Sequence, residues 1–196
     1  VPLEMEHMMS DFVVPKLQDK FPPDLITKNK TLLTTGIPES FLYDEIKTIE
    51  GLIDTGSLAF LPSQFGVRIR ITSKDTSEDK ANERIFEIEQ QIRAKLGRYI
   101  YGNDDQKLEE VVGKLLKERG LRIALAESCT GGLISSRITN VSGSSEYFER
   151  GIITYSNGAK VEHLGVDEDL LIKYGAVSLE VARLMAEGVR SVSGTD

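Results

Sequence analysis

Apolar and polar positions alternate in two registers along the chain, and each register predicts a kind of element. Val67-Arg-Ile-Arg-Ile-Thr72 alternates strictly, with period two, as a strand buried on one face does. Ile85, Ile88, Ile92 and Leu96 recur every three to four residues, which predicts a helix with one apolar stripe. The same reading predicts strands over Lys30–Thr35, Ser57–Pro62 and Tyr99–Tyr101, and a helix from Ile37 carrying Phe41, Ile46 and Ile49. The order β-α-β-β-α-β over about 27–102 suits a split-βαβ sheet, KH-like or ferredoxin-like, with helices on one face. Arg68 and Arg70 read as its solvated strand face. No basic GxxG loop joins two helices, as a KH domain that clamps a nucleic-acid backbone requires.

Before this module, residues 3–20 have helical spacing at Met5, Met8, Phe12 and Leu17, interrupted at Pro15. Phe21-Pro-Pro-Asp24 reads as a linker, because two prolines stiffen the backbone and remove two amide donors. After it, Asn103-Asp-Asp105 marks a second boundary. A helix follows over Gln106–Arg119, with Leu108, Val111, Val112, Leu115 and Leu116 inward and Gly120 as its C-terminal cap. A strand at 121–126, a helix to about Thr139, a strand from Gly151 and helices near 159–164, 167–173 and 178–192 complete the chain. The fold class is α+β, then α/β: the small module first, then an incomplete α/β sandwich. Three regions result: 1–22, a remnant and linker; 23–104, the small module; 105–196, the α/β region.

Composition narrows the function. The 196 residues include 40% hydrophobic and 28% charged residues, which are globular values. A formal net charge of −7 argues against a protein built to hold nucleic-acid phosphates. One cysteine forms no internal disulfide, and with two widely separated histidines it argues against a dedicated zinc site. No apolar run reaches the roughly 18–20 residues that span a bilayer. A cytoplasmic protein is expected. Val1 in place of an initiator methionine, and a last strand missing after the final helix, suggest an excerpt of a longer polypeptide.

Chemistry concentrates in Ala126-Glu-Ser-Cys-Thr-Gly-Gly132, between a predicted strand and a predicted helix. Such a loop offers free amides and the positive end of a helix dipole, and small residues let an anion approach. Equally, Ser and Thr cap helices and Gly makes turns whether or not anything binds. Cys129 reads as a small packed thiol rather than a nucleophile, since nothing local ties it to His163. Arg150 is open between a surface charge and a phosphate contact.

This loop, Gly143-Ser-Ser-Glu-Tyr-Phe-Glu-Arg-Gly-Ile-Ile-Thr-Tyr-Ser-Asn-Gly-Ala-Lys160 and Gly175-Ala-Val-Ser178 occur in order. Together they closely resemble the C-terminal domain of the CinA family, whose stand-alone members are nicotinamide mononucleotide deamidases. The resemblance covers Leu108 to Asp196. Upstream, Thr31-Leu-Leu-Thr-Thr-Gly-Ile-Pro-Glu-Ser40 is similar to the family's KH-like middle domain. Val1-Pro-Leu-Glu-Met5 is similar to the end of its molybdopterin-binding-like first domain.

The resemblance implies a serine/lysine amidohydrolase. It implies Ser145 as nucleophile, Lys160 as general base and Tyr155 as assisting hydroxyl. Ser128 is implied as a pocket residue; with Thr130, Gly131 and Gly132 of the loop it forms the expected substrate-binding set. A serine hydroxyl attacks once a neighbouring base takes its proton, and a Ser-Lys pair does this without histidine. No metal or cofactor is expected. The expected partners are a small-molecule nucleotide and further copies of the chain, with no membrane and no nucleic acid. The parent protein is expected to carry an ADP-ribose pyrophosphatase domain, and this fragment to be weak or inactive without the later part of the deamidase domain. The rival expectation is a non-catalytic binding or oligomerisation module for a competence or recombination partner.

Overall fold

A computed structural model describes residues 2–21, 24–49, 58–63 and 66–196. They divide into two compact units, with the boundary between Asp105 and Gln106.

In the first unit, β1 (Ile26–Thr34), α3 (Glu39–Ile46), β2 (Leu58–Ser63), β3 (Gly66–Asp75), α4 (Glu78–Leu96) and β4 (Ile100–Asn103) follow the expected order. The predicted Ser57 start of β2 lies outside the described residues. The sheet runs β2-β3-β1-β4, antiparallel throughout. The period-two reading of β3 holds: Val67, Ile69 and Ile71 are buried while Arg68 and Arg70 are exposed. Those side chains pack with Leu32 of β1, Leu42 and Ile46 of α3, and the α4 stripe Ile85, Ile88, Ile92 and Leu96.

The chain begins with α1 (Pro2–Met8) and α2 (Val14–Lys20), joined by a π-helical turn over Met9–Val13. Pro15 was expected to interrupt this helix, and the turn shows how the interruption is absorbed. A proline ring clashes with the carbonyl four residues back and supplies no amide. One residue earlier, the Val14 amide donates to Met9, five residues back, so the backbone widens instead of breaking. None of these helical residues is buried.

In the second unit, α5 (Leu108–Arg119) leads to β5 (Ile123–Glu127), α6 (Leu133–Thr139), a 3₁₀ turn over Ser144–Glu146 and β6 (Phe148–Ile153). Helices α7 (Asn157–Leu164), α8 (Glu168–Tyr174) and α9 (Leu179–Ser193) follow. β5 and β6 are parallel, with Ile123 opposite Phe148 and Glu127 opposite Ile153. Ala124, Ala126 and Ile152 pack against Leu164, Val166, Leu171, Val181, Met185 and Val189 of the α7–α9 layer. On the other face Ile123 and Leu125 share an apolar cavity with Leu108 and Val112 of α5 and Ile134 and Ile138 of α6. The result is the α/β sandwich expected, with β6 starting three residues before the predicted Gly151. No described helix is long and apolar enough to cross a membrane.

Candidate active site

Parallel pairing places the exits of β5 and β6 at one end of the sheet. Ser128 leaves β5 there, and Thr154, Tyr155 and the start of α7 leave β6 there. The pairing continues one residue past the ladder, where the Thr154 amide donates to the Glu127 carbonyl at 2.8 Å. Ser156 then caps α7, its hydroxyl accepting from the Ala159 amide at 3.1 Å. That cap fixes the first turn of α7 and turns Lys160 inward.

Lys160 is 1% exposed. Its Nζ donates to the Thr154 carbonyl at 2.8 Å, the Tyr155 carbonyl at 3.1 Å and Ser128 Oγ at 3.2 Å. Among the described residues it forms no ion pair. The two carbonyls fix the rotation of the Nζ group. The third direction of the Nζ group meets Ser128 Oγ. A hydroxyl and an amine are thereby held in the relation a nucleophile and its base need.

The loop carrying Ser128 is closed from below by Glu127, which is 2% exposed. Its Oε2 accepts from the Gly132 and Ile134 amides at 3.1 and 3.0 Å. Its Oε1 accepts from the Ser135 amide at 2.8 Å and from Ser135 Oγ at 2.5 Å. Burial pushes this carboxyl up, but hydrogen bonds from the Ser135 side chain and amide, the Thr130 side chain and the Ile134 amide outweigh it, holding the pKa down to about 2. Gly132 has φ of +96°, and a Cβ there would lie 2.9 Å from Ile153 Cδ1, so glycine lets α6 start against β6. The amides of Cys129 and Thr130 make no hydrogen bond among the described residues.

Of the expected site residues, the fold gathers Ser128, Thr130, Gly131, Gly132, Tyr155 and Lys160 at this one end. The Gly131 amide donates to the Ser128 carbonyl at 3.1 Å, closing a tight turn. The Gly132 amide is committed to Glu127. Tyr155 brings its carbonyl to Lys160 while its side chain is 78% exposed. Thr130 and Cys129 are also exposed.

Ser145 is not brought to Lys160. It sits on the 3₁₀ turn before β6, at the opposite end of the sheet. Its neighbour Glu146 pairs with Lys117 in the last turn of α5 at 2.7 Å, which anchors the turn where β5 begins. The five residue steps from Phe148 to Ile153 alone separate the ends by roughly 16 Å. The expectation that these two side chains form a pair within the chain is therefore corrected by the strand register: the serine on Lys160 is Ser128.

Sequence reasoning passed over Glu127. The signal was present: an acidic residue closing a strand, one small-residue loop ahead of a helix start that has unpaired amides to satisfy. Arg150, on β6, is exposed and pairs with Glu149 at 3.3 Å, which places it on the surface.

Two family models match in succession: the KH domain of damage-inducible protein CinA over residues 29–102, and the CinA C-terminal domain over 105–196. A CinA-like protein of Chloroherpeton thalassium is 45% identical over 100% of this chain and 46% of its own length. A putative competence-damage inducible protein of Caldicellulosiruptor saccharolyticus is 46% identical over 100% of this chain and 47% of its own. A solved structure, the competence/damage inducible protein CihA of Agrobacterium tumefaciens, is 40% identical over 44% of this chain and 53% of that one, with a TM-score of 0.44. The chain thus spans about half the length of the curated relatives it matches. With both domains matched in order along it, the chain belongs to the CinA family.

Proposed function

We propose that the protein containing this chain is an amidohydrolase converting nicotinamide mononucleotide to nicotinate mononucleotide and ammonia, with Ser128 as nucleophile and Lys160 as general base. The observation that carries this reading is the buried Lys160 Nζ, 3.2 Å from Ser128 Oγ and oriented by two backbone carbonyls. The choice of nucleotide rests on the family resemblance.

Lys160, as the amine, takes the Ser128 hydroxyl proton while Oγ bonds to the carboxamide carbon. The carbonyl oxygen gains the charge, and the uncommitted Cys129 and Thr130 amides stabilise it as hydrogen-bond donors. The intermediate collapses, the C–N bond breaks, and the Lys160 ammonium gives its proton to the departing nitrogen as ammonia forms. Water then attacks the Ser128 ester, losing a proton to Lys160. The C–Oγ bond breaks and Lys160 returns that proton to Ser128. Each cycle consumes one water and leaves the pair as it began. Tyr155 and Thr130, exposed at the same sheet end, contact the nucleotide at the mouth of the site.

The test is acid-quenching of the whole protein during turnover of nicotinamide mononucleotide, followed by peptide mapping. The expected result is the nicotinoyl nucleotide on the peptide containing Ser128. Ammonia release with an acyl group on another residue would refute the assigned nucleophile. No ammonia release would refute the activity.

A further inference from the structure

We infer that Glu127 is a positioning residue: its carboxylate acts as a built-in anion at the start of α6 and holds the Ser128 loop in register with Lys160. This rests on the reading of Ser128 and Lys160 as the reacting pair.

The first amides of a helix have no partner within it and draw an anion or a capping side chain. In this chain the donors around the start of α6 converge on one carboxylate. Four bonds, from the Gly132, Ile134 and Ser135 amides and Ser135 Oγ, come from beyond the loop, while Glu127 itself lies before it. The residues between, Ser128 to Gly131, are therefore clamped at both ends by a single side chain. An ionised carboxylate offers about four acceptor positions, and these donors, with the Thr130 hydroxyl inside the loop, saturate them. The backbone of Glu127 is itself fixed to β6 through the Thr154 amide, so the clamp is referenced to the strand that delivers Lys160.

Cys129 is exposed, lies inside the clamped loop and is the single cysteine of the 196-residue chain, so it can report on the loop without any assay of activity. The experiment compares wild type, Glu127→Gln and Glu127→Ala in two ways. In the whole protein, Glu127→Ala is expected to lower kcat on the order of 10²-fold with KM changed by less than about threefold, because displacement of a reacting group costs rate more than binding. Glu127→Gln, which keeps the shape and one acceptor oxygen, is expected to fall between. In the 196-residue chain, a nitroxide on Cys129 is expected to gain a fast-motion component in Glu127→Ala, measured below the melting transition of both proteins. Should Glu127→Ala fail to fold, Glu127→Gln decides on the same readouts. An unchanged nitroxide spectrum, or an unchanged kcat in an active enzyme, would overturn the inference. If the wild type releases no ammonia, the amidohydrolase reading falls, while the nitroxide still decides whether Glu127 fixes the loop.

Discussion

Each unit of the chain buries charge, but the two treat it differently. In the first, Glu89 of α4 is 5% exposed and meets two cations: Lys30 of β1 at 2.7 Å and Arg93 at 2.8 Å. Arg93 continues to Asn103 of β4 at 2.5 Å, so one network ties a helix to two strands. In the second unit Glu127 and Lys160 are equally buried, yet neither forms an ion pair among the described residues. Amides and hydroxyls hold the carboxylate, and carbonyls and a hydroxyl hold the amine. Opposite charges placed together neutralise one another and staple a fold. Ionisable groups held by neutral dipoles keep their chemistry, at a desolvation cost that hydrogen bonds must offset.

Exchanging the two treatments should separate activity from stability. The largest effect is expected from Lys160→Ala, which removes the base: ammonia release by the whole protein falls by about 10²–10⁴-fold, the usual worth of a positioned acid–base group. Glu89→Gln should do the reverse. It costs on the order of 1–3 kcal/mol in denaturant unfolding, the worth of hydrogen bonds between charged groups, and leaves ammonia release unchanged. Equal loss of activity in both variants would dissolve the distinction between the units.

Acid should act on both carboxylates in the same direction. Glu127 is held from an ordinary 4.5 down to about 2. Glu89 is lowered as well, because Lys30 and Arg93 outweigh the upward push of burial. A depressed carboxyl contributes its full stability above the unfolded value, and that contribution is lost as pH falls through the folded value. Unfolding free energy should therefore decline below about pH 4.5 and continue to decline toward pH 2. Glu127→Gln should flatten the lower part of that slope. A slope identical to wild type would mean that Glu127 is not ionised in the clamp.

Smaller effects probe packing and capping elsewhere in the second unit. Gly113 of α5 is buried against the Tyr147 ring, and a Cβ there would overlap the Tyr147 hydroxyl. Gly113→Ala is expected to cost about 1–3 kcal/mol by overpacking, despite the better helix propensity of alanine. Smaller still is Asp167→Ala. Its side chain caps α8 through the Asp169 and Leu170 amides at 2.8 and 3.2 Å, a contribution of about 1 kcal/mol in thermal unfolding.

Much of the fold was legible because local patterns carry it. Alternation at Val67–Thr72 located β3, the Ile85–Leu96 stripe located α4, and Gly120 does end α5 in a left-handed cap. The site was legible as a set of residues but not as a geometry. Ser128 and Lys160 are far apart in sequence and meet only because β5 and β6 run parallel, bringing both strand exits to one end. Ser145 stands closer to Lys160 in sequence, yet a whole strand carries the chain away between them. Sequence spacing has no access to that register, and the family motif names residues without saying which end of the sheet each occupies. Glu127 was overlooked for a related reason, since a carboxylate's partners are revealed only when the loop folds back over it.

The most direct test of the account is single-turnover ammonia release from nicotinamide mononucleotide by the whole protein with Ser128→Ala beside Ser145→Ala. The geometry predicts that Ser128→Ala abolishes the acyl-enzyme and the ammonia it yields, while Ser145→Ala still forms both. Abolition by Ser145→Ala with Ser128→Ala left competent would contradict the pairing of Ser128 with Lys160.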